Sequence, residues 1–150
     1  MGKEIKSKII SLSDAASMVN HGDYIALGGF AITRCVVGFA HELIRQGKKD
    51  LTVSEDIVGW DADLLIGAGI VRKLIFSSGS LDAFGPVQRT MDAFMTKQIE
   101  WEEWSNLAIE FRYLAGALGL PYMPIKSMLG SDLLKYLPSD VFIERANGSP

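Results

Sequence analysis

The stretch that most constrains this chain is residues 23–34, Asp-Tyr-Ile-Ala-Leu-Gly-Gly-Phe-Ala-Ile-Thr-Arg. A buried strand over residues 24–27 is expected to run into Gly28-Gly29 and then straight into a helix. Two adjacent residues without Cβ let the backbone take φ > 0 and let a ligand come close. The helix that follows would aim its free N–H groups and positive dipole end at whatever sits above the strand. In an open α/β sheet, ligands bind at that carboxyl end of a strand. Many crossovers need glycine merely to turn, so the pair alone does not settle the matter.

The same order recurs along the chain. Ser13 is expected to cap a first short helix that Gly22 stops. After the glycine pair, Val36, Val37, Phe39, Ala40, Leu43 and Ile44 recur at helical spacing, with Gly47 as terminator and Cys35 as a small residue at the start. Leu51-Thr52-Val53 reads as a strand, with Ser54-Glu55-Asp56 leaving its carboxyl end. Asp61 or Asp63 would cap a brief helix, and residues 71–77 form another strand that ends before Ser77-Ser78-Gly79-Ser80. Pro86 suits the first turn of the next helix. Ile99-Glu100-Trp101 fits either a strand or the approach to a helix. Ser105 caps an apolar helix over residues 107–118 that Gly119 and Pro121 end, and a helical turn is expected from Ser131. Short strands of unalternating polarity between helices predict an α/β fold: a three-layer, open, mostly parallel sheet flanked by helices.

Composition narrows the function. The 150 residues fit a single domain large enough for a core. A net charge of -3 without a basic block argues against nucleic acid. One cysteine excludes an internal disulfide, and neither His21 nor His41 shows metal-ligand spacing, so no metal is expected. No apolar run is long enough for a bilayer, and the charged start Met-Gly-Lys-Glu-Ile-Lys carries no secretory h-region. The expectation is a cytoplasmic protein with no membrane contact.

Three strand ends would gather on one edge: Gly28-Gly29, Ser54-Glu55-Asp56 and Ser77-Ser78-Gly79-Ser80. Backbone N–H donors, carboxylates and hydroxyls together suit acyl chemistry, with donors for an oxyanion and a carboxylate as base or nucleophile. The plainer reading makes Glu55 and Asp56 solvated loop residues. Trp101 and Trp104 read as core or interface aromatics, and Glu100, Glu102 and Glu103 as a solvated charge cluster.

The run Gly28-Gly29-Phe30 with Arg34, then Glu42-Leu43-Ile44-Arg45-Gln46-Gly47, Asp50-Leu51-Thr52, Asp63-Leu64-Leu65-Ile66-Gly67, Leu118-Gly119-Leu120-Pro121-Tyr122-Met123-Pro124 and Met128-Leu129-Gly130-Ser131 resembles the A-type chain of family I CoA-transferases, glutaconate type. The match is collinear over nearly the whole chain and corresponds to about the first half of a typical A-type chain. The resemblance implies transfer of coenzyme A from an acyl-CoA to a free carboxylic acid through a glutamyl-CoA intermediate. It implies a coenzyme A thioester as substrate, no permanently bound cofactor, and a B-type partner subunit in a hetero-oligomer. Gly28, Gly29, Phe30 and Arg34 would be substrate-side contacts, with Ser54, Ser78 and Gly79 on the neighbouring strand ends. The Lys-Pro that often follows the arginine in relatives is Cys35-Val36 here. Ser54-Glu55-Asp56-Ile57 also resembles the catalytic Ser-Glu-Asn-Gly segment of the B half. Glu55 is therefore either a nucleophile on an A-like frame or a coincidental carboxylate, with the nucleophile in a B-type chain. The alternatives are a CoA-ester hydrolase or ring-opening relative on the same frame, and a non-catalytic half-subunit that binds a partner.

Overall fold

The computed structural model describes residues 8–138. The charged N-terminal segment and the polar tail at residues 146–150 lie outside the described residues. Four strands form one sheet in the order β1-β2-β3-β4, and every pairing is parallel. They are β1 (Tyr24–Ala26), β2 (Leu51–Val58), β3 (Val71–Gly79) and β4 (Glu100–Glu103). Each strand therefore reaches its neighbour through a helical crossover: α2 (Val37–Arg45), α3 (Trp60–Gly67) and α4 (Gln88–Met95). Stepping always in the same direction with right-handed crossovers puts all three helices on one face.

Side-chain alternation shows both faces covered. Leu51, Val53, Leu74 and Phe76 pack with Ala40 and Leu43 of α2, Leu65 and Ile66 of α3 and Ala93 of α4. Ile75, between Leu74 and Phe76, points the other way and joins Trp104, Met128, Leu137 and Ala108 and Ile109 of α5 (Asn106–Leu118). This is the three-layer α/β arrangement expected from the strand–helix alternation. The first helix, α1 (Leu12–Ser17), adds Ala16 to the larger core. No helix of the described residues is long and apolar enough to cross a membrane.

Local signals were strongest where one side chain decides a terminus. Ser105 Oγ accepts from the Ala108 amide at the start of α5, and Gly119 closes that helix at φ 68°. Ser131 likewise starts a 3-10 turn over Asp132–Lys135. Elsewhere the structure corrects the expectation. The cap of α1 is Ser11, not Ser13, because Ser11 and Asp14 bond each other reciprocally. β1 is three residues long and half-exposed, since it is an edge strand with one neighbour; Tyr24 is 57% exposed. Pro86 precedes α4 rather than opening it, because Val87 is the cap. Residues 100–103 resolve as the edge strand β4, drawn into the sheet by pairing with β3.

Candidate functional site

The glycine pair does not run straight into a helix. Residues 27–36 form a loop, and α2 starts only at Val37. Within it Phe30 and Thr33 bond each other's backbones in a tight turn, at 2.9 and 2.8 Å. Ala31 and Arg34 stand at φ 52° and 60°, a region that L side chains occupy rarely. The loop is tied down at three points. Leu27 donates to the Ser54 carbonyl, Ala31 donates to the Ile57 carbonyl, and the Val36 amide donates to Asp61 Oδ2 at 2.8 Å. The last bond means that a side chain of α3 caps the amino end of α2, an end that the local sequence pattern leaves open to a ligand. Among the described residues, the amides of Gly28 and Gly29 donate to no protein acceptor. Phe30 and Arg34 are exposed beside them.

Ser54, Glu55 and Asp56 do not leave the end of a strand. β2 continues to Val58, and all three side chains are buried within it. Alternation divides them between the two faces. Ser54 and Asp56 face α5: Ser54 Oγ lies 2.6 Å from the Tyr113 hydroxyl, and Asp56 accepts from Ser77 Oγ at 2.7 Å and Asn106 Nδ2 at 3.3 Å. Burial pushes the Tyr113 hydroxyl up to about 12, against the Ser54 hydrogen bond. Glu110 of α5 is also pushed up, by burial and by the Asp56 charge. Glu55 points the other way, beneath the loop, with no exposed surface. Its Oε2 receives a long 3.4 Å bond from the Gly59 amide, and its Oε1 accepts from no donor. Burial first, then the Asp61 charge, pushes Glu55 up to about 9, so its carboxyl is protonated near neutrality.

Ser78 and Gly79 are the last residues of β3, paired with Ile57 and Val58, rather than part of a turn. The end of β2 thus has the Ala31 turn on one side and Ser78-Gly79 on the other. Phe84, 71% exposed, leans on Trp60 at the start of α3, with ring centroids 5.9 Å apart. The structure therefore brings the Gly28–Arg34 loop, the tip of β2 and Ser78-Gly79 to one edge. It withdraws Ser54 and Glu55 from that surface into the two layers behind it.

The residues organising this edge were not singled out by spacing. Asp61, expected to cap its own helix, is fully buried in the first turn of α3, where it accepts from the Ala62 amide of that turn and from the Val36 amide at the start of α2. Gly59 is obligatory for a reason of packing: a Cβ there would sit 1.8 Å from the Ala31 carbonyl oxygen and 2.9 Å from Cys35 Sγ. Cys35 belongs to the loop, and its thiol donates to the Ala31 carbonyl at 3.0 Å. Burial raises its pKa, opposed by the Trp60 amide and reinforced by the Asp61 and Glu55 charges. On the far edge, Glu102 is no solvated charge: Lys73 and Arg112 flank it, Trp104 Nε1 donates to it, and Arg112 lies 4.3 Å above the Trp104 ring. Burial pushes its carboxyl up, but those partners outweigh burial and hold it below the usual range. Trp104 is core, whereas Trp101 is 45% exposed and rests on Phe94, ring centroids 4.8 Å apart.

Comparison with known proteins agrees with this frame. Residues 9–137 match the family described as Coenzyme A transferase. The A-type chain of the 3-oxoadipate CoA-transferase of Pseudomonas knackmussii is 39% identical over 142 residues, covering 91% of this chain and 50% of that protein. The A-type chain of the glutaconate CoA-transferase of Acidaminococcus fermentans is 38% identical over 129 residues, 85% of this chain and 40% of that protein. The crystal structure of glutaconate coenzyme A-transferase from Acidaminococcus fermentans superposes with a TM-score of 0.81 at 37% identity, over 86% of this chain and 41% of that one. The chain spans about half the length of the curated relatives it matches. With the parallel sheet, the glycine loop and this match in agreement, the chain belongs to the Coenzyme A transferase family.

Proposed function

We propose that this chain supplies half of an A-type frame in an enzyme that moves coenzyme A from an acyl-CoA to a free carboxylic acid. Its part is the glycine-loop wall of a site completed by a B-type partner. The thioester carbonyl oxygen sits against the free amides of Gly28 and Gly29, which stabilise the negative charge that develops there on attack. Phe30, Arg34, Ser78 and Gly79 line the same edge and contact the substrate. No resident cofactor takes part; the coenzyme A thioester is substrate.

The nucleophile, a glutamate passing through an acyl–glutamyl anhydride to a glutamyl-CoA thioester, belongs to the B-type partner. The single observation behind this assignment is the state of Glu55. A nucleophilic carboxylate must be ionised and reachable, whereas Glu55 has no exposed surface and keeps its proton to about 9.

The test is to co-express the chain with a B-type partner, incubate with acyl-CoA, trap with borohydride and map the modified peptide by mass spectrometry. Modification of the partner, with the peptide around Glu55 unmodified, is the expected result. An adduct on Glu55 overturns the assignment. Release of free coenzyme A at full rate without an acceptor acid would make the enzyme a hydrolase. In the assembled enzyme, Gly29→Ala lowers kcat/KM about tenfold or more, because the added Cβ meets the Arg34 carbonyl at 3.3 Å and shifts a donor aimed at the oxyanion.

A further inference from the structure

Three side chains far apart in sequence converge beneath the glycine loop: Cys35 from the loop, Glu55 from β2 and Asp61 from α3. One ligating atom of each lies within 4.8 Å of the other two. Gly59 leaves room for this approach, since a Cβ there would occupy the space taken by Cys35 Sγ and the Ala31 carbonyl. Glu55 and Asp61 are both without exposed surface, and Glu55 Oε1 accepts from no donor. Among the described residues, no Lys, Arg or His forms an ion pair with any of the three. Two buried carboxyl groups facing each other need a positive charge between them. A proton on Glu55 supplies it in the metal-free protein.

From this geometry we propose that Cys35 Sγ, a Glu55 carboxylate oxygen and an Asp61 carboxylate oxygen form a binding site for one divalent transition-metal ion of the zinc class. Calcium and magnesium want six or more oxygen ligands, which this corner does not offer. One thiolate and two carboxylates suit a tetrahedral ion with its fourth position left to water. Tetrahedral ligands at zinc bond lengths stand roughly 3.5 Å apart, so atoms already within 4.8 Å of one another need at most a small closure on binding. The ion displaces the Cys35 thiol proton and the Glu55 proton, and both leave to solvent. Three anionic ligands around a dication then carry one net negative charge, the same as the metal-free cluster. The bound ion cross-ties the loop, β2 and α3, the segments that hold Gly28 and Gly29 in place. The site is independent of the transferase reading.

The experiment uses the whole chain, stripped of metal and dialysed against Zn²⁺ or Co²⁺. One equivalent of zinc is expected, and the cobalt form should show a thiolate-to-metal charge-transfer band in the near ultraviolet. Cys35→Ser should abolish the band and weaken zinc binding at least ~10-fold, the least that losing even a supporting partner of a metal site costs. Glu55→Gln should weaken binding comparably while leaving the thiol in place. Less than one equivalent of zinc overturns the site and leaves a cluster that holds protons only. One equivalent with no thiolate band, or affinity unchanged in Cys35→Ser, shows an adventitious surface ion and overturns it equally. Should Glu55→Gln fail to fold, the wild-type cobalt spectrum and the near-isosteric Cys35→Ser variant decide.

Discussion

Helix α3 carries two buried acids two residues apart, each with a donor on both oxygens, and they differ in what else surrounds them. Asp63 is fully provided for: Oδ1 accepts from the Thr90 amide and hydroxyl, both at 2.9 Å, and Oδ2 from Arg89 at 3.0 Å. It is a joint that docks α4 onto α3. Asp61 accepts from the Val36 and Ala62 amides, but it shares its corner with Glu55 and Cys35, whose groups are themselves acids, and one oxygen of Glu55 has no donor. Both aspartate carboxyl groups are buried. Burial beside donors alone builds structure, whereas burial against another acid keeps a proton in place on one of the two.

The largest effect that could break this contrast is in the pH dependence of stability. Folded Glu55 holds its proton up to about 9, while in the unfolded chain it ionises near 4.5. Between those values the unfolded state binds fewer protons, so stability falls as pH rises. The slope approaches ~1.4 kcal/mol per pH unit for one full proton. The contribution is fully present below about 4.5 and exhausted above about 9. Urea unfolding of wild type and Glu55→Gln across pH 5–9 measures it as a difference, and parallel profiles would place Glu55 in water.

Next in size is the joint itself. Asp63→Ala strands the Thr90 amide and hydroxyl in a dry interface and frees Arg89, at a cost of about 3 kcal/mol at fixed pH. A loss below about 1 kcal/mol would remove the distinction between the two corners. Gly59→Ala should cost about 1–3 kcal/mol, because its Cβ collides with a backbone oxygen that only loop movement can clear. Amide exchange should show faster opening at residues 31–36 while α4 stays protected, and the reverse pattern would locate the strain elsewhere.

The smallest effect calibrates the rest. Ser54 and Tyr113 form a neutral, partly buried pair on the other face of β2. Ser54→Ala and Tyr113→Phe should each cost about 1 kcal/mol, and the double variant less than their sum. Strict additivity would mean that the two hydroxyls do not bond in solution.

Much of the frame was legible in order along the chain, because caps, glycine stops and the period of apolar residues act within a few positions. Ser105 and Gly119 bracket α5 as expected, and the parallel three-layer sheet follows from strand–helix alternation. Element lengths were harder to read. β2 runs past Val53 to Val58 because β3 pairs along it to Gly79 and the loop amides of Leu27 and Ala31 donate to Ser54 and Ile57 on its other side, and that extension carries Ser54, Glu55 and Asp56 from an expected strand end into the interior. The loop at residues 27–36 was hidden for a related reason: Asp61 holds Val36 from a distance of 25 positions, and no local pattern announces such a bond.

The sequence alone determined the fold class, the glycine edge and the family, since these rest on short-range patterns and on a collinear series of motifs. Only the tertiary structure decided which acids face water, which meet another acid and which find a donor. Burial and charge proximity depend on how strand register and helix crossings bring distant residues together. Cys35, Glu55 and Asp61 have no telling spacing along the chain, and they become a cluster only when the loop folds down over Gly59.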